Sequence, residues 1–144
     1  GLVCAKINLN NAKWWAGTNT STMARGDGPL AGKLNTAIII ANQSEGNGTE
    51  YAARLCNEAI ITENGQSYGD WYLPSRDELL LMFQNKNIID ATALANGGQA
   101  FSLAIYWSST EENQNTARYV QFFNGGYGWN DKNQIGRVRP VRTF

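Results

Sequence analysis

The sequence predicts an α+β fold in which two helices accompany small antiparallel sheets and the N- and C-terminal strands lie close together. Three observations favour this class. Apolar runs of strand length, such as Leu103–Trp107, alternate with Gly- and Asn-rich turns in the C-terminal half. Ser75, followed three residues later by Glu78, forms a capping box that marks the start of a helix. No repeat or linker divides the 144 residues, so we expect one domain over residues 1–144.

Composition excludes several classes of function. Hydrophobic content of 42% with 17% charged residues is typical of a globular chain. A formal net charge of zero argues against a nucleic-acid partner, and the densest apolar run, Ala37–Ala41, is too short for direct membrane insertion. The chain contains no histidine, which removes the commonest general base and histidine metal sites. We therefore expect no enzyme activity, no cofactor and no metal.

The N-terminal half offers two strands and the first of the two helices. Leu2–Leu9 alternates loosely and predicts an opening strand, which we expect near Val138–Val141. Thr36–Ala41 is an apolar run typical of a strand. Thr49 is a plausible N-cap for a helix in which Ala52, Leu55, Cys56, Ala59 and Ile60 share a face.

The second helix has the best-defined start in the sequence. Pro74 disfavours helix at the residue before it, and the capping box predicts a helix from Arg76 to about Asn85. Ile88–Leu94 adds another turn or two before Gly97-Gly98 ends the segment.

Four strand-like segments follow, with a hairpin between the second and third. Asn124-Gly125-Gly126 is a strong hairpin signal. Pro140 lacks an N–H donor, so the last strand lies at an edge or bends there. The alternation in the second segment is imperfect, which leaves either of its faces as the buried one. The segments are Ser102–Ser108, Ala117–Phe123, Tyr127–Asn130 and Arg137–Arg142.

Two cysteines and three Asn-X-Ser/Thr patterns call for interpretation. Cys4 and Cys56 allow one disulfide, but spacing alone does not bring them together, and Cys56 lies on the apolar side of a predicted helix. The patterns at Asn19, Asn42 and Asn47 are interpreted as chance in an Asn- and Thr-rich chain.

Three ordered motifs carry a resemblance to a known family. They are Gly69-Asp70-Trp71-Tyr72-Leu73-Pro74-Ser75-Arg76-Asp77-Glu78-Leu79, Tyr106-Trp107-Ser108-Ser109, and the ending Arg137–Arg142. The chain resembles a bacterial and phage family that includes the C-terminal domains of collagen-like adhesins and the variable proteins of diversity-generating retroelements. The resemblance implies a C-type-lectin-type fold and a ligand-binding domain whose C-terminal segment carries the ligand surface. It also implies a location at a cell surface, in a secreted protein or on a phage particle.

The same resemblance divides the C-terminal segment into framework and ligand surface. The implied framework is Tyr106–Ser109, Glu111, Ala117, Tyr119, Phe122, Asn124-Gly125, Lys132 and Arg137–Arg142. The implied ligand-binding residues are Glu112, Asn113, Gln114, Asn115, Thr116, Arg118, Val120, Tyr127, Trp129, Asn130, Asp131, Asn133, Gln134 and Ile135. Trp129 and Tyr127 supply large flat contact area and the amides set orientation, toward a protein or glycan partner.

Two interpretations of the segment stay open. In retroelement targets, adenine-containing codons are randomised and Asn is over-represented. Randomising the adenines of a pyrimidine-ending Asn codon gives no Trp, Gln or Glu, yet Trp129, Gln114 and Glu112 lie in the implied ligand surface. Either other adenine codons serve as template, or the chain is a fixed adhesin or phage fibre domain that binds glycans or assembles with neighbouring subunits.

Acidic and basic side chains are further candidates for chemical sites. Glu111-Glu112 are adjacent in a strand and point to opposite faces, which disfavours a glycosidase pair. The basic residues form either an anion-binding patch or framework ion pairs with Asp70, Asp77 or Glu78, and we favour the pairs. These basic residues are Arg118, Lys132, Arg137, Arg139 and Arg142.

Two further motifs are interpreted as carrying no chemistry. Trp129-Asn130-Asp131 matches a calcium-binding tripeptide of sugar-binding C-type lectins, but no proline stands between the oxygen-bearing side chains that the partner motif needs. The formylglycine-generating enzymes share the broad fold and use C-terminal cysteines, and this chain has no cysteine after Cys56.

Overall fold

The computed structural model describes residues 1–15, 17, 20–46 and 48–144. Asn19 and Asn47, two of the Asn-X-Ser/Thr positions, lie outside these residues. The elements found in the described chain, in order, are β1 (Leu2–Cys4), α1 (Ala31–Gln43), α2 (Ala52–Glu58), β2 (Ile61–Glu63), β3 (Gln66–Tyr68), α3 (Arg76–Gln84), α4 (Lys86–Ala95), β4 (Ile105–Glu111), β5 (Thr116–Gln121), β6 (Tyr127–Asp131) and β7 (Val141–Thr143).

The two ends of the chain pair with each other. β1 runs antiparallel to β7, with Leu2 opposite Thr143 and Cys4 opposite Val141. The Ala5 N–H extends the ladder by donating to the Pro140 carbonyl at 3.0 Å. Pro140 takes part as an acceptor only, and β7 begins at the next residue, which fits a residue without an N–H donor. The predicted closeness of the terminal strands is confirmed.

The central sheet has the order β4-β5-β6 and is antiparallel throughout. The predicted hairpin between β5 and β6 is confirmed. Gly125 adopts a positive φ of 75°, and the Asn124 side-chain oxygen accepts from the Gly126 N–H at 2.8 Å. A register shift between Trp107 and Glu111 marks a bulge in β4.

Helix α3 starts where the sequence predicts. The Ser75 hydroxyl accepts from the Glu78 N–H at 3.3 Å, and the Glu78 carboxylate accepts from the Ser75 N–H at 2.8 Å. Leu79 and Met82 then face the sheet and pack with Tyr106. The capping box thereby fixes where α3 crosses one face of the sheet.

The predicted strand at Thr36–Ala41 is wrong, because this segment lies inside helix α1. The buried positions of α1 are Gly32, Asn35, Thr36, Ile39 and Gln43, which share the 3.6-residue period of a helix. Most of that face is glycine or polar, and the Thr36 hydroxyl accepts from the Leu73 N–H at 3.1 Å. Hydrophobicity alone therefore indicates only a short apolar run, and the helical period of the buried face does not appear in it.

Two helix boundaries also differ from the prediction. Helix α2 follows Tyr51 rather than Thr49, and Tyr51 is in an extended conformation, bridged to Lys13. Ile88–Leu94 belongs to a full helix, α4, which starts at Lys86 and is separated from α3 only by Asn85. The described chain thus contains four helices instead of two, while the α+β, C-type-lectin-type arrangement of small antiparallel sheets and paired termini is confirmed.

Buried side chains form a core on each side of the central sheet. One cluster includes Trp14, Tyr51, Cys56 and Trp107, and a second joins α3 to the other face of β4 and β5. Both Cys4 and Cys56 are free thiols, which decides the open question of a disulfide. Cys56 is fully buried, as the pattern of its helix predicts.

Candidate functional site

Two polar turns lie side by side at one end of the central sheet. After β4, the Asn113 side-chain oxygen accepts from the N–H groups of Asn115 and Thr116 at 2.8 and 3.0 Å. After β6, the Asp131 carboxylate accepts from the Asn133 N–H at 3.0 Å. The Lys132 N–H donates to the Asn115 carbonyl at 2.9 Å and joins the two turns. Hydrogen bonds to backbone N–H groups therefore shape both turns and join them.

The strands behind these turns present two aromatic rings to solvent. In the β5–β6 register, Arg118 lies opposite Trp129 and Val120 lies opposite Tyr127, so all four side chains are on one side of the sheet. Trp129 is 60% exposed and Tyr127 is 61% exposed. Glu112 joins them through an ion pair with Arg118 at 2.5 Å. We call Glu112, Arg118, Tyr127 and Trp129 the aromatic face.

Val120 belongs to the same side of the sheet but not to its surface, which corrects its place among the implied ligand-binding residues. Its side chain is fully buried and packs with Leu79 and Met82 of α3. Helix α3 covers the end of the sheet where Tyr106 and Val120 lie, and it leaves the Trp129 end open.

Strand alternation also separates Asn130 from Trp129. Asn130 lies opposite the buried Ala117, on the reverse side of the sheet, and its side-chain oxygen accepts from the Asp131 N–H at 2.9 Å. The structure therefore places Asn130 away from the aromatic face. The remaining implied ligand-binding residues lie in or beside the two turns. Thr116 is half-buried. The others are exposed, and they are Asn113, Gln114, Asn115, Asp131, Asn133, Gln134 and Ile135.

Arg76 flanks the aromatic face although it lies outside the C-terminal segment. Its guanidinium carbon is 5.6 Å from the centre of the Tyr127 ring. It forms ion pairs with Asp77 at 2.9 Å and with Asp27 at 3.4 Å. In the sequence this arginine stands in the Gly69–Leu79 motif and in the first turn of α3, and neither position indicates what lies opposite it. Sequence reasoning therefore missed it.

A buried ion pair lies beneath the turns. The Lys132 ammonium and the Glu111 carboxylate are 2.8 Å apart and their side chains are 1% and 0% exposed. The carboxylate also accepts from the Thr22 N–H and hydroxyl, each at 2.7 Å. Burial alone would raise the pKa of Glu111, but the hydrogen bonds from Lys132 and Thr22 outweigh it and lower the pKa to about 2. Lys132 also lies over the Trp14 ring, 4.6 Å from its centre.

The structure distributes the basic residues of the candidate anion-binding patch over different places. Arg142 binds Asp70 through two hydrogen bonds of 2.6 and 3.0 Å, as the framework interpretation predicts. Arg118 pairs with Glu112, and Lys132 is buried with Glu111. These three cations are spread over separate ion pairs and form no common patch.

The described residues offer neither a metal-binding cluster nor a membrane-spanning helix. Among them, no group of three or more acidic or cysteine side chains has an arrangement that would hold a metal ion. None of their helices is both long and apolar enough to cross a membrane.

Comparison with known proteins gives one family match. A family model described as the Lcl C-terminal domain matches residues 8–142, which is nearly the whole chain. No curated protein matches the sequence.

Proposed function

The chain belongs to the Lcl C-terminal domain family, and from this premise we propose that it is a non-catalytic recognition module whose aromatic face binds a partner. The exposure of Trp129 and Tyr127, at 60% and 61%, is the observation that carries the proposal. Large aromatic rings that stand on a sheet and are left open to solvent are among the residues that most often anchor interfaces.

The surroundings of the two rings support a binding role. Tryptophan, tyrosine and arginine are the residue types most enriched at binding hot spots, and all three meet here. Arg118 and Arg76 are held in place by ion pairs with Glu112 and Asp77. A partner would therefore meet side chains that already have fixed conformations, which reduces the entropic cost of binding.

We infer that the partner is a protein or a glycan on another cell or particle, and that the domain works at a cell surface, in a secreted protein or on a phage particle. The absence of histidine from the sequence supports a non-catalytic role. Diversification of the C-terminal segment belongs to the same proposal. Its test is to sequence the flanking genome for a near-copy of the segment encoding residues 111–144 that differs only at adenines.

The test of binding removes both rings together. A biotinylated domain on streptavidin is applied to a glycan array and to arrays of bacterial surface proteins, and the spots it binds become the probes. We expect Trp129→Ala with Tyr127→Ala to weaken this binding by roughly 100-fold or more, since two hot-spot residues are removed. The melting temperature should stay within a few degrees of the parent, because both side chains are exposed.

Phe144→Ala is the matched control, since Phe144 is an aromatic residue that is 78% exposed and lies outside the aromatic face. It should bind as the parent does. A double variant that unfolds at much lower temperature would show that the rings serve stability instead. A double variant that binds normally but changes its oligomeric state would show that the aromatic face serves subunit assembly instead.

A further inference from the structure

The arginines of this chain fall into two groups. Five of the seven have a carboxylate at ion-pair distance, and these are Arg25, Arg54, Arg76, Arg118 and Arg142. Within the described chain, Arg137 and Arg139 have no such partner. In a protein whose formal net charge is zero, these two guanidinium groups place positive charge without an ion-pair partner in one region.

That region contains a polar cleft. It has a volume of about 430 Å³ and lies between loops 8–10 and 99–102. Its polar walls are Asn8, Asn10, Gln99, Ser102 and Arg137. Amides, a hydroxyl and a guanidinium offer many donors, which suits a ligand that brings acceptors.

The backbone of Arg137 is fixed against strand β4. Its N–H donates to the Ile105 carbonyl and its carbonyl accepts from the Trp107 N–H, each at 3.0 Å. The half-buried guanidinium makes one hydrogen bond, from Nη1 to the Asn11 side-chain oxygen at 3.2 Å. Its Nε and Nη2 groups have no partner among the described residues. A guanidinium on a fixed backbone with free donors is prepared to receive a ligand.

Arg139 lies behind the wall of the cleft that Asn8 forms. It is only 1% exposed, its Nε donates to the Ala5 carbonyl at 2.7 Å, and its guanidinium carbon is 4.3 Å from the centre of the Phe101 ring. Nη1 reaches the Asn8 side-chain oxygen at 3.5 Å, and Nη2 is buried without a partner in the described chain. Asn8 lines the cleft, so the buried charge of Arg139 reinforces the potential that Arg137 creates there.

We propose that this cleft binds a carboxylate group, with Arg137 as its primary contact. The planar guanidinium fork matches the two coplanar oxygens of a carboxylate, and the amides of Asn10 and Gln99 offer neutral donors beside it. Glu50 and Glu58 line an adjoining cleft, but neither pairs with Arg137. The site is separate from the aromatic face and does not rest on its function. Arg137 lies at the Ile105 end of β4, and the polar turns follow the Glu111 end, roughly 20 Å along the strand.

Acetate is the minimal probe, and the Nε–Hε signals of ¹⁵N-labelled arginine side chains are the readout. Acetate replaces chloride at constant ionic strength. We expect the Arg137 signal to move and to saturate, with half-saturation at roughly 10–100 mM for a single charge-assisted contact. The Arg54 signal serves as the internal control, because its Nε already donates to Glu58 at 2.8 Å. It should stay in place.

Variants and competing anions sharpen the experiment. The side-chain amide of Gln99, which lines the cleft, is a second readout and should also respond to acetate with saturation in the parent. Arg137→Gln should abolish this response. Arg137→Lys keeps the charge but loses the fork, and should weaken acetate binding several-fold. N-acetylaspartate amide and glucuronate, titrated separately, distinguish an acidic side chain from a sugar acid as the source of the carboxylate. The one that saturates at lower concentration identifies the source, and equal affinities indicate that the carboxylate alone is recognised.

Two results would overturn the proposal. One is an Arg137 signal that drifts linearly and in parallel with that of Arg54, which would indicate only general ionic contact. The other is saturation by sulfate but not by acetate. If Arg137→Gln fails to fold, the titration of the parent protein with its internal control still decides between these outcomes.

Discussion

Replacing Glu111 by Gln should destabilise the domain by about 3 kcal/mol or more. The variant leaves the Lys132 ammonium, which is 1% exposed, without its carboxylate. Breaking a buried pair by removing one partner costs about 3–5 kcal/mol, because a buried charge is left uncompensated. The lowered pKa of Glu111 agrees in direction, since it means that the folded state favours the charged carboxylate more than the unfolded state does.

Urea unfolding followed by tryptophan fluorescence measures this loss, and Glu112→Gln is the matched control. Glu112 is the next residue along the chain, but its ion pair with Arg118 is partly exposed, with side chains 31% and 26% accessible. That substitution should cost no more than about 1 kcal/mol. Adding Lys132→Met to Glu111→Gln removes the uncompensated charge and should recover about half of the loss or more.

The pH dependence follows from the direction of the Glu111 pKa. Its folded-state value lies below the unfolded value, so the stabilisation is complete above pH of about 4.5 and is lost as the pH falls toward about 2. The parent should lose stability across this window, while Glu111→Gln loses less, so that the two curves converge in acid. A single variant within about 1 kcal/mol of the parent at pH 7, or curves that stay parallel, would refute the reasoning.

Two further predictions concern close packing and the thiols. Gly32→Ala should destabilise the domain by about 2 kcal/mol, because a Cβ there would lie 2.2 Å from the Glu78 carboxylate and 2.8 Å from the Leu73 carbonyl. A loss below about 0.5 kcal/mol in urea unfolding would contradict this packing. Burial raises the pKa of Cys56 and raises that of Cys4 to about 11, so both thiols should react with Ellman's reagent slowly in the native state and at once in denaturant. Rapid native reaction, or a disulfide in the intact mass, would count against two free thiols of raised pKa, of which Cys56 is buried and Cys4 is half-buried.

Local signals in the sequence predicted the elements whose cause is local. The Ser75–Glu78 capping box and the Asn124–Gly126 turn each depend on residues within four positions of one another, and both formed as predicted. The prediction of a strand within α1 was wrong because the buried face of this helix is made of Gly32, Asn35, Thr36 and Gln43 beside Ile39. Polar residues on that face are satisfied by distant partners, as Thr36 is by Leu73, so the helical period does not appear in hydrophobicity.

The candidate site shows the same division between local and distant causes. The resemblance implied Tyr127, Trp129 and Asn130 together, and the two-residue period of a strand separates Asn130 from the other two. The burial of Val120 depends on where α3 crosses the sheet, and the place of Arg76 beside Tyr127 depends on the same crossing. No pattern within the C-terminal segment carries that information.

Adjacent residues in this region separate a stabilising role from the recognition role proposed above. Glu111 is buried in an ion pair and Glu112 beside it is partly exposed on the aromatic face, while buried Lys132 follows exposed Asp131. Because the buried partners fix the ends of β4 and β6, the neighbouring exposed side chains are held in position without contributing much packing of their own. Substitutions confined to the exposed members should therefore change binding while leaving the free energy of unfolding nearly constant. A surface organised in this way tolerates sequence change on a fixed backbone, which both a diversified receptor and a fixed adhesin require, so the flanking genome rather than the fold distinguishes them.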